Sequence, residues 1–123
     1  MHFYADRYAG SEAALPAVRA ATRSRIAGHL ALLDRMAAER PAWCHPGAAS
    51  VLAYYLAALF RWLALYPEGA TDWFDPSAYP ALRALAAAME TRPAALRAAI
   101  AEGLGHTIFT RPTYAAPPEG SAT

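Results

Sequence analysis

The 123-residue chain has no Lys, Asn or Gln, so all 11 of its basic residues are arginines. They are scattered from Arg7 to Arg111 and leave a formal net charge of only +1. A nucleic-acid footprint needs a concentrated basic face, and none is written here. GC-rich coding accounts for the bias and points to a bacterial source. The single cysteine, Cys44, rules out an internal disulfide and makes the reducing cytoplasm the expected compartment. The first residues, Met1 to Arg7, lack the apolar stretch of a signal peptide and already carry an acid, Asp6. The longest apolar run, Val51 to Leu65, is interrupted by Arg61 and falls short of the roughly 18 residues a membrane span requires. Strand-like alternation of apolar and polar residues is also missing.

What remains is helical. Hydrophobic residues make up 56% of the chain, enough for one globular core. A first helix is predicted from Leu15 or Pro16 to Glu39 or Arg40. Pro16 suits a first turn, and Pro41 closes the segment. Ile26, Leu30, Leu33 and Ala37 form its stripe, widened by Val18, Leu32 and Met36. A second helix starts at Ser50, a natural N-cap, and reaches about Tyr66. It is apolar around nearly its whole circumference, which predicts a central helix packed on every side. A third helix is expected from Pro80 to Met89 and a fourth from Pro93 to Glu102. The fourth would be capped by Thr91 or Arg92, stopped by Gly103, and carry Leu96 and Ile100 as its apolar pair. Met1 to Gly10 is expected to hold a helical turn that ends at Gly10. Residues 105–123 read as an irregular, mobile tail.

Several blocks, taken in order, resemble a known family. They are Pro41-Ala42-Trp43-Cys44, Ser50-Val51-Leu52-Ala53-Tyr54-Tyr55-Leu56 and Leu59-Phe60-Arg61-Trp62, then Tyr79-Pro80-Ala81-Leu82, Met89-Glu90-Thr91-Arg92-Pro93 and Ala98 to Leu104. Together they resemble the C-terminal helical domain of bacterial, beta-class-like glutathione S-transferases over residues 15–104. The resemblance implies an all-α bundle of four to five helices without the thioredoxin-like domain that normally precedes it. Residues 1–14 would then be the remnant of a preceding helix and loop. In the family, the absent domain binds glutathione and activates its thiol, while the helical domain supplies most of the pocket for a hydrophobic co-substrate. The family's Ser/Thr-x-x-Asp capping box is here Ser50 with Ala53, so its reciprocal half is lost, at a cost of about 0.5–2 kcal/mol.

The resemblance also marks Trp62, beside Arg61, as a wall of the co-substrate pocket, with Tyr54, Tyr55 and Tyr66 on the same helix as further candidates. Aromatic residues at helical spacing are more commonly core. No catalytic residue is expected. Cys44 with His45 is the one nucleophile-plus-base pair, but neighbours in sequence rarely face each other. His2, His29, His45 and His106 show no metal-ligand spacing, and His29 would cap the edge of the first helix's stripe. Phe109, Arg111 and Tyr114 would reach the cleft only if the tail folded back.

Two functions follow as expectations. In the first, the chain contributes the hydrophobic pocket to glutathione conjugation, binds no cofactor by itself and meets a thioredoxin-like partner. In the second, it is a non-catalytic module that binds a protein or a hydrophobic ligand, or pairs with itself through an apolar face. A truncated gene remnant is the third possibility. The isolated chain is expected to be inactive.

Overall fold

A computed structural model describes residues 4–116. Among them there are four α-helices and no strand. They are α1 (Leu15–Ala38), α2 (Val51–Leu65), α3 (Pro80–Glu90) and α4 (Pro93–Ala101). Single 3-10 turns lie at Ala5–Arg7, Glu12–Ala14, Ala42–Cys44 and Pro76–Ala78. Each helix lies within about two residues of its expected bounds. None is long and apolar enough to cross a membrane.

Proline and local carbonyl traffic set the boundaries. Pro16, Pro80 and Pro93 each occupy a first turn, where a missing N–H costs nothing. The chain leaves α1 through Arg40, whose φ of 52° is in the left-handed region that glycine normally fills, and Pro41 prevents continuation. Ser50 caps α2: its hydroxyl oxygen accepts the Ala53 N–H at 3.0 Å and its proton goes to the Trp43 carbonyl at 2.6 Å. Ala53 is wholly buried, so the position that would complete a capping box has become core. At α4, Arg92 holds the cap position with extended backbone; its side chain does not cap the helix but donates to the Pro46 carbonyl at 3.4 Å. Gly103 follows the helix at φ 62°.

The main core forms where α3 packs on α1 and α2. Leu30 and Ala37 come from α1. Leu56, Ala57, Phe60 and Leu63 come from α2, and Leu82, Leu85 and Met89 from α3. Ile26 and Leu33 flank it as expected, but Leu32 and Met36 are exposed, so the α1 stripe is narrower than its sequence suggested. A second, smaller cluster joins Ala95 and Ala99 of α4 to Ile108, with Tyr54, Leu104 and Phe109 against it.

Two expectations are corrected. Helix α2 is not packed on every side. Ala53, Leu56, Ala57, Phe60 and Leu63 follow helical spacing on the buried face, while Val51 is 90% exposed, Tyr55 59% and Trp62 54%. The neighbouring helices cover one side of α2 and leave an apolar stripe bare. In α4, Leu96 and Ile100 are not the inward pair. They are exposed, and the small residues Ala95 and Ala99 face inward instead. Small side chains let this short helix approach Ile108 and Tyr54 closely.

The loop between α2 and α3 is held by aromatics. Phe60 meets Phe74 edge-on at 5.4 Å, and Phe74 stacks on Tyr79 at 6.2 Å. Arg23 of α1 lies 5.8 Å from the Trp73 ring centre and donates to the Ala70 carbonyl at 3.2 Å. Asp75 accepts from both the N–H and the hydroxyl of Ser77, at 2.8 Å each, which closes the turn into Pro76–Ala78.

The segment after α4 is irregular, as expected, yet over 105–116 it is fastened to the bundle. The Arg61 guanidinium donates to the carbonyls of Ile108 at 3.1 Å and Thr113 at 2.7 Å. Glu90 accepts the N–H groups of Phe109 and Thr110, both at 3.1 Å, and the Thr110 hydroxyl at 2.7 Å. Tyr114 donates its hydroxyl to the Leu65 carbonyl at 2.6 Å. The expectation of mobility over 117–123 lies outside the described residues.

Candidate functional site

The four aromatic candidates do not gather at one place. Trp62 and Tyr66, one helical turn apart, are neighbours with ring centres 6.0 Å apart. Tyr114 joins them from the C-terminal segment, edge-on to Tyr66 at 5.6 Å. Tyr55 lies on the same exposed side of α2, nearer its N-terminus. Tyr54 points the other way, half-buried between the two core clusters, and acts as packing.

The outcome is an exposed aromatic surface that is nevertheless held in place. Trp62 is 54% exposed, Tyr66 39% and Tyr114 42%. The hydrogen bond to Leu65 and the two Arg61 bonds fix the segment that carries Tyr114. Desolvation, then the nearby Glu68 carboxylate, push the Tyr114 phenol above its usual range, so it remains a neutral donor at physiological pH. Burial pulls the Arg61 guanidinium below its usual value, with Tyr66 opposing. A guanidinium remains charged regardless and can only donate, which suits it to bridging two carbonyls. Tyr114 was legible in sequence only as part of a tail. Nothing in the pattern of residues 105–116 announces that Arg61 would fasten it.

Cys44 and His45 are not a catalytic pair. Cys44 is 1% exposed in the main core, and burial pushes its thiol above the ordinary value. His45 is exposed, and its Nδ1 accepts the Gly47 N–H at 3.0 Å. His29 and His106 are also exposed, so His29 stands in solvent rather than against the edge of the stripe. His2 lies outside the described residues. Among the described residues, no group of three or more His, Cys, Asp or Glu side chains converges.

Two concavities lie elsewhere on the surface. One, of about 370 Å3, is bounded by Leu96 and Ile100 of α4 together with Gly103, His106 and Ala116. At Gly103 the Ala116 backbone crosses so closely that a Cβ would collide with its carbonyl oxygen, and the Ala116 N–H donates to the Gly103 carbonyl at 3.0 Å. The other, of about 570 Å3, runs between α3 and residues 107–111. The aromatic surface borders neither.

No protein-family model, no curated protein and no solved structure matches the chain.

Proposed function

We propose that this chain is a helical domain of the glutathione S-transferase C-terminal type. It would supply the hydrophobic wall against which an apolar co-substrate is held. Glutathione and the group that activates its thiol would belong to a thioredoxin-like partner. The observation that carries this reading is the surface formed by Trp62, Tyr66 and Tyr114, which is aromatic, exposed and fixed by hydrogen bonds. Large exposed aromatics on a rigid support are the usual material of binding surfaces. The order of the sequence blocks and the all-helical architecture also agree with it.

The wall is half of a site. Positioning a thiolate beside an electrophile requires a second surface to hold the thiol. The chain's share would be to place the electrophile, and the chain alone would not catalyse conjugation. A test is calorimetric titration with glutathione and, separately, with an unreactive nitroaromatic. The reading expects no heat from millimolar glutathione, and saturable binding of the nitroaromatic that Trp62→Ala weakens at least fivefold. Nitroaromatic binding that ignores Trp62→Ala refutes it.

A second reading is favoured by one further observation. The exposed stripe extends past the triad to Tyr55 and Val51, longer than one small molecule would cover. A protein partner, or a second copy of the chain, would cover it better. Sedimentation of the wild type and of Tyr55→Asp distinguishes the self-paired case. A dimer that this substitution dissociates supports self-association through α2.

A further inference from the structure

The groove between α3 and residues 107–111 has a composition that none of the preceding readings uses. Its volume, about 570 Å3, lies in the range of small-molecule sites. Pro80, Ala84 and Ala87 follow one face of α3 and give it a shallow apolar floor. Arg83 stands on the α3 bank and Arg111 on the opposite bank, both exposed.

The donors and acceptors around this floor are unevenly committed. The Ser77 hydroxyl donates to Asp75, the Thr107 hydroxyl to the Arg111 carbonyl, and the Thr110 hydroxyl to Glu90. All three hydroxyl protons along the groove are therefore spent on the protein itself. Among the described residues, Glu90 is the one carboxylate lining the groove, and both its oxygens accept from Phe109 and Thr110. It is committed to the 107–111 segment and makes no hydrogen bond with either arginine. Asp75 interacts with Arg83 electrostatically, but both of its oxygens are already held by Ser77. The groups left to meet a ligand are two guanidinium forks, which can only donate and which match an oxyanion in pairs of parallel bonds.

We propose that this groove binds a small organic oxyanion, a carboxylate or phosphate monoester whose apolar body lies on Ala84 and Ala87 while its charged end sits between Arg83 and Arg111. The alanines offer an apolar strip beside the cations, and among the described residues neither guanidinium makes a hydrogen bond, Arg83 having only its longer-range attraction to Asp75. A ligand carrying both features satisfies both. The site is separate from the aromatic surface on α2, so its fate does not depend on the conjugation reading.

The test is an NMR titration of the whole chain with phenyl phosphate, with inorganic phosphate and phenol as controls. We expect saturable shifts at the amides of Arg83, Ala84, Ala87 and Arg111, with phenyl phosphate bound at least fivefold more tightly than either control. Arg83→Gln and Arg111→Gln should each weaken it at least fivefold. Both side chains are exposed, so the variants should keep the wild-type amide spectrum away from the groove. Trp62→Ala should bind phenyl phosphate as the wild type does. Shifts that do not saturate, shifts centred on α2, equal binding of inorganic phosphate, or arginine variants that bind normally would each overturn the proposal.

Discussion

The carboxylate of Asp34, late in α1, accepts the backbone N–H of Leu82 in the first turn of α3, at 2.9 Å across 48 residues of sequence. Tyr79 occupies the N-cap of α3 and contributes no side-chain bond, so the cap comes from another helix. This one contact satisfies an otherwise orphaned donor, places negative charge at the positive end of α3, and sets the register of α3 on α1. Asp34→Ala should therefore cost about 0.5–2 kcal/mol, the range of a lost N-cap. Asp34→Asn, which keeps an acceptor oxygen, should recover more than half of the loss. Urea denaturation of the three proteins checks this, and equal midpoints for wild type and Asp34→Ala would refute it.

Ser50 has two duties that can be separated. Its oxygen caps α2 at Ala53, and its proton ties the Ala42–Cys44 turn to α2 through the Trp43 carbonyl. Ser50→Ala loses both and should cost about 1–2 kcal/mol. Ser50→Asp keeps the cap acceptor but has no proton for Trp43. It should fall between the two in thermal denaturation. If Ser50→Asp matches the wild type, the bond to Trp43 contributes nothing.

These contacts show which parts of the structure were legible in the sequence. Helix positions were, because proline in first turns, Ser50 and Gly103 are local signals whose effects do not wait on tertiary packing. The faces of the helices were less so. Leu96 and Ile100 carry more hydrophobicity than Ala95 and Ala99, so a pattern weighs them as core. Packing chose the alanines because only small residues allow α4 close to Ile108. The bare side of α2 was hidden for a related reason: a helix apolar all round is indistinguishable in sequence from one with neighbours on one side only. The candidate site was half visible. Trp62 and Tyr66 were singled out on α2, but Tyr114 reaches them through Arg61, Glu90 and Leu65, and bonds between side chains and distant backbone groups leave no periodic trace.

The Cys44 thiol provides a probe of the core. It is 1% exposed, and burial raises its pKa above the usual thiol value of 9.0. A neutral disulfide reagent at pH 8 should therefore label it only as fast as the core opens, and at once in denaturant. The sign of the pH effect follows from the same shift. The unfolded chain releases this proton first, so the stabilisation is complete below pH 9 and is lost as pH rises through the higher folded value. The stability of the wild type should thus fall more steeply as pH rises above 9 than that of Cys44→Ala. Parallel curves, or rapid labelling of the native protein, would contradict this placement of the thiol.

The fastening of residues 105–116 predicts how the aromatic surface fails. Arg61 bridges two carbonyls of that segment, and Tyr114 bonds the last carbonyl of α2. Removing Arg61 leaves the carbonyl of the buried Ile108 without this donor, so Arg61→Ala should cost about 1–3 kcal/mol. Lysine carries the charge but not the fork, and Arg61→Lys should recover less than half of that. Tyr114→Phe keeps the ring and removes one neutral bond, worth about 1 kcal/mol. Because Tyr114 sits at the edge of the fold, that loss should act locally. Hydrogen exchange at residues 113–116 should accelerate about fivefold, while α2 and α3 keep their protection. If exchange instead rises uniformly in Tyr114→Phe, the segment is part of the cooperative core. If it does not rise at all, the bond to Leu65 is not what holds Tyr114 against Tyr66.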